Sequence, residues 1–155
     1  MNMNKTSSPK RASSSRKRVL ANDACPNCGT IMVEHRGRLR LPVNGESVVV
    51  PSAIHLRCPK CDEVVLRYED SRQLSENAIA IYRKKHGLLS ADELRALRER
   101  LSLTQNELAK LLRLGSNTIS RWESGRNVQT EAMDVLLRLV RDVPTSIKYL
   151  RKRAA

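Results

Sequence analysis

The sequence predicts an α+β protein of two small domains, an antiparallel β domain held together by cysteines and an all-α domain of five helices. All four cysteines lie in the first half as two Cys-x-x-Cys pairs, Cys25 with Cys28 and Cys58 with Cys61. The second half consists of consecutive segments with helical periodicity. The chain of 155 residues has no Phe and one Trp, so both cores must be mainly aliphatic. A half of about 50 residues with such a core needs a staple, which the cysteines can provide.

The net charge of +13 is distributed unevenly along the chain. Residues 1–20 carry six positive and no negative side chains, residues 21–70 six and seven, and residues 71–155 seventeen and nine. Because a basic domain is typical of a protein with a polyanionic partner, nucleic acid is expected to bind the second half and not the near-neutral cysteine segment.

The chain shows neither an apolar stretch of about 18 residues nor an apolar run behind the N-terminal basic residues. We therefore expect no membrane span and no signal peptide. We accordingly expect a cytoplasmic protein. In that reducing compartment, paired cysteines are more often metal ligands than disulfides.

Residues 1–22 are predicted to be a disordered basic tail. They are rich in Ser, Lys and Arg and show no apolar periodicity before Val19. Such a composition cannot bury enough apolar surface to offset the conformational entropy lost on ordering. The sequence leaves open whether the tail only solubilises the chain or contacts phosphates without sequence preference.

Residues 23–70 are predicted to form the β domain. Five short segments have strand character, and residues such as Leu39 and Leu41 alternate with polar residues at a period of two. Arg36-Gly37 and Asn44-Gly45 are both turn signals, and the second is a good two-residue hairpin turn. The prediction is a small antiparallel sheet whose ends are joined by the cysteines.

The four cysteines match the ligand pattern of a tetrahedral structural zinc site with one ion per chain. The 29 residues between the pairs exceed the roughly 15 to 20 of common zinc ribbons and fit a strand-rich insert. Another metal and a thioredoxin-like redox pair remain as alternatives, although neither pair precedes a helix in an α/β context. Four thiolates leave no open position for a catalytic water, so we expect a structural ion and a protein that is not an enzyme.

Residues 71–88 are predicted to form a connecting helix or linker, and residues 89–155 the five helices of the second domain. Two helix starts match the capping box, Ser or Thr followed three residues later by Glu. The five helices are predicted to begin near Ser90, Thr104, Ser116, Thr130 and Pro144.

Residues 97–125 are predicted to form a helix-turn-helix that binds DNA. A helix from Thr104, a short turn near Gly115 and a following helix have the geometry that lays the following helix in the major groove. Asn117 and Arg121 are four residues apart and hence on one face, and their side chains can bind the edges of adenine and guanine. The predicted contacts to phosphate or flanking groups are Thr104, Gln105, Ser116, Thr118, Ser120 and Arg126.

Arg98 and Glu123 are predicted to form an internal ion pair between the first and third helices of this domain. Any one polar residue of the segment, taken alone, could simply be solvated, and for Asn117 alone that interpretation is preferred. The ordered set favours DNA binding.

The second half resembles the Cro/repressor (XRE-type) helix-turn-helix family in the segments SLTQNELA and NTISRWESG. Residues 25–155 as a whole resemble the MqsA/YgiT-type antitoxins, in which a four-cysteine zinc domain precedes such a module. The shared features are CPNC, CPKC after the 29-residue gap, LSLTQ, and Asn117, Ser120, Arg121 and Glu123.

The resemblance implies that the four cysteines bind structural zinc, that residues 21–70 bind a toxin, commonly a ribonuclease that cleaves mRNA, and that Asn117 and Arg121 read bases. It also implies a homodimer that represses its own operon at a palindrome of double-stranded DNA. Four thiolates around Zn²⁺ add about −2 to the near-neutral charge of residues 21–70, which suits a small basic toxin better than DNA.

The expected protein is a cytoplasmic, nucleoid-associated antitoxin and autorepressor with no membrane partner. The alternative is a stand-alone XRE-family regulator whose zinc domain is structural or senses a ligand.

Overall fold

The computed structural model of the chain describes residues 23–154, and the predicted tail at residues 1–22 lies outside them. A three-stranded antiparallel sheet is followed by six helices, so the predicted fold class is confirmed. No helix in the described part of the chain is long and apolar enough to cross a bilayer. The elements are β1 (Val33–Val43), β2 (Glu46–Arg57), β3 (Val64–Val65), α1 (Tyr68–Lys85), α2 (Ala91–Arg100), α3 (Gln105–Leu111), α4 (Thr118–Glu123), α5 (Glu131–Asp142) and α6 (Pro144–Ala154).

Strands β1 and β2 form a long hairpin, and β3 pairs with the far end of β2. The predicted turn at Asn44-Gly45 is confirmed, with both residues at positive φ, 51° and 83°. Such a turn matches the right-handed twist of the flanking strands, which is why Asn-Gly is favoured there.

The prediction of a turn at Arg36-Gly37 is wrong. β1 continues through these residues, and the register with β2 shifts just after Gly37. At this shift Pro51 and Ser52 of β2 lie opposite a single residue of β1, which is a β-bulge. Proline has no N–H to donate to a neighbouring strand, so a bulge is one of the few places where β2 can accept it. Two long strands therefore replace the four short ones predicted.

Helix α1 covers one face of this hairpin. It contributes the apolar side chains of one buried cluster, and the strands contribute the others. Asn44 Nδ2 donates to the Tyr82 hydroxyl at 3.1 Å, which ties the hairpin turn to the end of α1. The helix predicted as a connector thus completes the core of the β part. The cluster consists of Val43, Val48, Val50, Ala53, Leu74, Ala78, Ile79 and Tyr82.

Helices α2 to α6 enclose the second core. The predicted capping boxes are confirmed, because Ser90 with Glu93 and Thr104 with Glu107 each exchange two hydrogen bonds at the starts of α2 and α3. Thr130 caps α5 by accepting from the Met133 amide. The buried members of this core are Leu89, Leu94, Leu97, Leu108, Ala109, Leu112, Ile119, Trp122, Leu137 and Val140.

A buried polar network fastens α5 to the segment between α1 and α2. Asp134 Oδ1 accepts from the Leu89 amide at 2.8 Å and from Gln129 Nε2 at 3.0 Å. Its other oxygen, Oδ2, accepts from Arg138 Nε at 2.7 Å. Since Asp134 is only 4% exposed, these donors replace the water that its carboxylate loses on folding.

Candidate functional site

The cysteines lie on two knuckles with the same backbone geometry. In the first, the Gly29 amide donates to the Cys25 carbonyl at 2.9 Å, and in the second the Asp62 amide donates to the Cys58 carbonyl at 3.1 Å. Gly29 and Asp62 both have positive φ, 71° and 58°. Each pair of cysteines is therefore presented by the same tight turn, with glycine at its left-handed position in one knuckle and aspartate in the other.

The four sulfur atoms form one compact cluster. All four Sγ atoms lie within 4.8 Å of one another. Cys25 Sγ and Cys61 Sγ are 3.5 Å apart, as are Cys28 Sγ and Cys58 Sγ, and all four cysteines are free. A tetrahedral ion with metal–sulfur bonds of about 2.3 Å would separate its ligands by about 3.8 Å. The cluster therefore fits a metal ion held by four thiolates.

The surroundings of the cluster are apolar. Cys25 and Cys58 are 3% and 0% exposed, and Met32 and Leu56 pack beside them at 2% and 4%. The Lys60 amide lies 3.5 Å from Cys58 Sγ and can donate to it. A dry shell with an N–H donor to sulfur is the environment that stabilises bound thiolates in structural metal sites.

Two of the thiols differ strongly in pKa. Hydrogen bonds with the hydroxyl and amide of Thr30 lower the pKa of Cys28 to about 6. The Glu63 amide lowers the pKa of Cys61, but desolvation and hydrogen bonds with the neighbouring thiols outweigh it and raise this pKa to about 12. The cluster therefore disfavours several negative charges on neighbouring sulfur atoms. Binding of a divalent cation would remove that cost, and the thiols would then release their protons.

Helices α3 and α4 carry the predicted DNA-binding residues. They are joined by a turn in which Arg113 has a φ of 56° and the Leu114 amide donates to the Ala109 carbonyl at 2.8 Å. This is the closing hydrogen bond of a helix C-terminus with a left-handed residue. The left-handed residue is Arg113 and not the nearby Gly115.

Helix α4 has one buried and one exposed face. Ile119 and Trp122 are 2% and 6% exposed and belong to the helical core. Asn117 precedes the helix, is exposed and makes no capping hydrogen bond with its side chain. Arg121 is exposed and forms no ion pair in the described part of the chain. The two residues predicted to read bases are therefore available to a ligand.

The predicted flanking residues are placed unequally. Ser116, Thr104 and Arg126 are exposed, whereas Thr118 and Ser120 are half-buried. The Thr104 hydroxyl already accepts from the Glu107 amide at 3.2 Å. Gln105 is half-buried, and its Nε2 donates to Glu123 Oε2 at 2.9 Å. The side-chain amide of Gln105 thus points into the protein, whereas Ser116 and Arg126 are exposed on either side of α4.

Arg98 and Glu123 are paired in the structure. Arg98 Nε donates to Glu123 Oε1 at 2.6 Å and Nη2 to Oε2 at 3.0 Å. The Glu123 side chain is 1% exposed. Burial raises the pKa of Glu123, but hydrogen bonds from Arg98 and Gln105 outweigh it and hold this pKa below its ordinary value. The pair fixes the last turn of α4 to α2 and α3.

Two arginines that the sequence analysis did not single out support the end of α4. Arg83 Nη2 donates to the carbonyls of Trp122 and Asn127, both at 3.0 Å, and Arg95 Nη2 donates to the carbonyl of Glu123 at 3.0 Å. Cations are favourable at the C-terminal carbonyls of a helix. The position of Arg83 in α1, four residues after the apolar Ile79 and next to Tyr82, was the feature of the sequence that could have indicated a side chain on the inner face of the helix.

Two comparisons with known proteins point to antitoxins. A family model described as the antitoxin component of bacterial toxin-antitoxin system, MqsA, matches residues 23–151. The chain is also similar to Antitoxin HigA-2 of Vibrio cholerae serotype O1, with 32% identity over 62 residues. That similarity covers 40% of this chain and spans 60% of the length of the relative.

Proposed function

The chain belongs to the MqsA family of antitoxins, and we propose that its cysteine part neutralises a toxin while α2 to α6 bind DNA and repress transcription. In this proposal α3 and α4 are a helix-turn-helix of the XRE type, and the protein works in the cytoplasm at the nucleoid. Its action is binding and not catalysis.

The exposed face of α4 is the observation that carries the DNA-binding part. Asn117 and Arg121 face solvent while Ile119 and Trp122 anchor the same helix in the core. An amide and a guanidinium four residues apart can each make paired hydrogen bonds to adenine and guanine edges. Because Glu123 and the carbonyls beside it are held by three arginines, α4 meets DNA in a fixed orientation.

The metal is proposed to be one structural Zn²⁺ per chain. Four thiolates in a closed cluster are the ligand set that zinc prefers at structural sites, and they leave no position for a substrate. The ion would cross-link the two knuckles, with a contribution to folding on the order of 10 kcal/mol. Its role is to shape the partner-binding part.

The toxin is proposed to contact the second knuckle and the start of α1. Val64 and Tyr68 are large apolar side chains that are 42% and 81% exposed. Glu63 and Glu69 are exposed beside them and form no ion pair in the described residues. An exposed aromatic anchor with acidic neighbours suits a basic protein, which agrees with the small basic ribonuclease expected from the family.

A second copy of the chain is proposed to pack on α5. Val135 and Leu139 lie one turn apart on α5 and are 58% and 48% exposed, and Val143, just after the end of the helix, is 41% exposed. The opposite face of α5 is already used, because Leu137 and Val140 are buried in the helical core. Helix-turn-helix proteins read palindromes as dimers, so this apolar stripe is the proposed homodimer contact.

Binding to DNA from upstream of the gene tests the DNA-reading part. Asn117→Ala and Arg121→Ala are each expected to cost about 1 to 3 kcal/mol at the preferred site, or about 5- to 150-fold in Kd. Lys84→Ala is the matched control, because Lys84 is an exposed cation on α1. If the two variants bind as tightly as the control, or if the unaltered protein shows no preferred site, the assignment of α4 is wrong.

A further inference from the structure

The end of α3, the turn after it and α6 carry cations that form no salt bridge with a carboxylate of the described residues. All six are exposed, and none forms an ion pair in the described part of the chain. Neighbouring helices differ, since Arg98 of α2 and Arg138 and Arg141 of α5 are all paired. The α3–α6 basic cluster, as we name it, consists of Lys110, Arg113, Lys148, Arg151, Lys152 and Arg153.

The structure places this cluster next to the turn that leads into α4. Arg113 lies in that turn, four residues before Asn117, and its Nη2 donates to the Arg153 carbonyl at 3.1 Å. Arg153 in turn donates from Nη1 to the Tyr149 hydroxyl at 3.2 Å. The C-terminal end of α6 is therefore held against the entrance to the base-reading helix, although the two are distant in sequence.

Charge composition makes α6 a site for an anion. The segment from Pro144 to Ala154 contains four cations and no acidic residue. Like charges held together on one surface repel each other, and no carboxylate in the described residues pairs with these cations to offset that repulsion. A row of phosphates would do so, and counterions released from DNA would add to the gain.

We propose that the α3–α6 basic cluster binds DNA phosphates that flank the bases contacted by Asn117 and Arg121. This inference rests on the proposed DNA-binding function and assigns it a second contact region, which extends from the turn of the helix-turn-helix onto α6. DNA is favoured over an acidic protein because the cluster adjoins the turn before α4, whereas the proposed toxin contact lies at the cysteine knuckles. The cluster then adds affinity and orientation but no base preference.

The salt dependence of DNA binding by the full, metal-loaded chain tests this inference. The variant replaces three exposed cations of α6, Lys148→Gln, Arg151→Gln and Lys152→Gln. Its matched control replaces three exposed and equally unpaired cations of β1, Arg36→Gln, Arg38→Gln and Arg40→Gln. Both variants lose the same net charge, so a difference between them reports position.

The slope of log K against log salt is negative, and each lost phosphate contact makes it shallower by about 0.9. We expect the slope of the α6 variant to be shallower than that of the unaltered chain by between about 1 and 3. The β1 variant should keep the slope of the unaltered chain. The base preference should be unchanged, and hydroxyl-radical protection should shorten at the edges of the site. If the triple variant misfolds, Arg151→Gln and Lys152→Gln alone should each make the slope shallower by about 1.

Equal slopes for the α6 and β1 variants would overturn the inference and leave the proposed function standing. Loss of toxin capture by the α6 variant, with DNA binding unchanged, would also overturn it by identifying a protein partner for this surface. If the unaltered chain binds no DNA at any sequence, the proposed function itself fails.

Discussion

Replacing Arg98 with Met should strongly destabilise the helical part, because it leaves the buried Glu123 carboxylate with too few donors. Glu123 accepts from Arg98 at 2.6 and 3.0 Å and from Gln105 at 2.9 Å, and its side chain is 1% exposed. After Arg98→Met only Gln105 remains in hydrogen-bond contact. Removing one member of a buried pair costs about 3 to 5 kcal/mol, since the other charge stays buried without its hydrogen-bonded counterion. The remaining cation, Arg95, is 4.0 Å from Glu123 Oε2, beyond hydrogen-bond distance.

Thermal and urea unfolding followed by circular dichroism measure this loss. For a helical unit of this size about 1 kcal/mol corresponds to about 4 to 8 °C in Tm, so Arg98→Met should lower Tm by about 12 °C or more. The control is Arg72→Met, which breaks the pair between the exposed Arg72 and the half-buried Glu76, four residues apart on α1, and should cost about 0.3 to 0.5 kcal/mol. Removing both charges with Arg98→Met and Glu123→Gln should recover part of the loss.

The pH dependence gives a second readout for the same pair. The folded pKa of Glu123 lies below its ordinary value, so its stabilising contribution is present above the unfolded pKa of about 4.3 and is lost as pH falls through the folded pKa. In Arg98→Met, only Gln105 and Arg95 still offset the effect of burial, so the pKa of Glu123 should rise. The stability difference from the unaltered chain should therefore be smaller at pH 4 than at pH 7. A loss similar to that of Arg72→Met, or one independent of pH, would refute this account of the pair.

Three further predictions concern the metal cluster, the buried network and the dimer. Cys58→Ser should release the metal, measured by elemental analysis, and abolish the cooperative unfolding of the β part, because Cys58 is fully buried among the other ligands. Asp134→Ala should cost about 1 to 3 kcal/mol in urea unfolding for each buried donor left without a partner, of which the Leu89 amide is one; a cost below about 0.5 kcal/mol would contradict it. Leu139→Glu should convert the proposed homodimer to a monomer in light scattering without lowering Tm, whereas an unchanged mass would exclude α5 as the contact.

The features predicted correctly from the sequence depend on residues close to one another along the chain. The capping boxes span four residues each, the hairpin turn is the dipeptide Asn44-Gly45, and the cysteine cluster follows from the spacing within and between two Cys-x-x-Cys pairs. The family resemblance rested on the same short segments, and the match over residues 23–151 confirms it. Local geometry was sufficient in each case.

The features that were missed depend on distant partners. Arg36-Gly37 has the composition of a turn, and only the bulge opposite it in β2 shows that β1 continues. The hydrogen bond from the Gln105 amide to Glu123 was not predicted, because it joins residues 18 apart in the sequence. Arg83 reaches the end of α4 from 39 residues away. Pairing across elements decides these cases, and one strand or helix alone does not reveal it.

Toxin neutralisation is tested most directly by expressing the protein encoded in the neighbouring reading frame, alone and together with variants of this chain. The proposed function predicts that the neighbour arrests growth and that both the unaltered chain and the double variant Asn117→Ala with Arg121→Ala restore it. Cys58→Ser should not restore growth, because the four-cysteine part would lose a ligand of its proposed metal and no longer fold. A harmless neighbour, or no rescue by the unaltered chain, would contradict the antitoxin function and favour a stand-alone regulator. Rescue by Cys58→Ser would contradict the assignment of toxin binding to the metal-containing part.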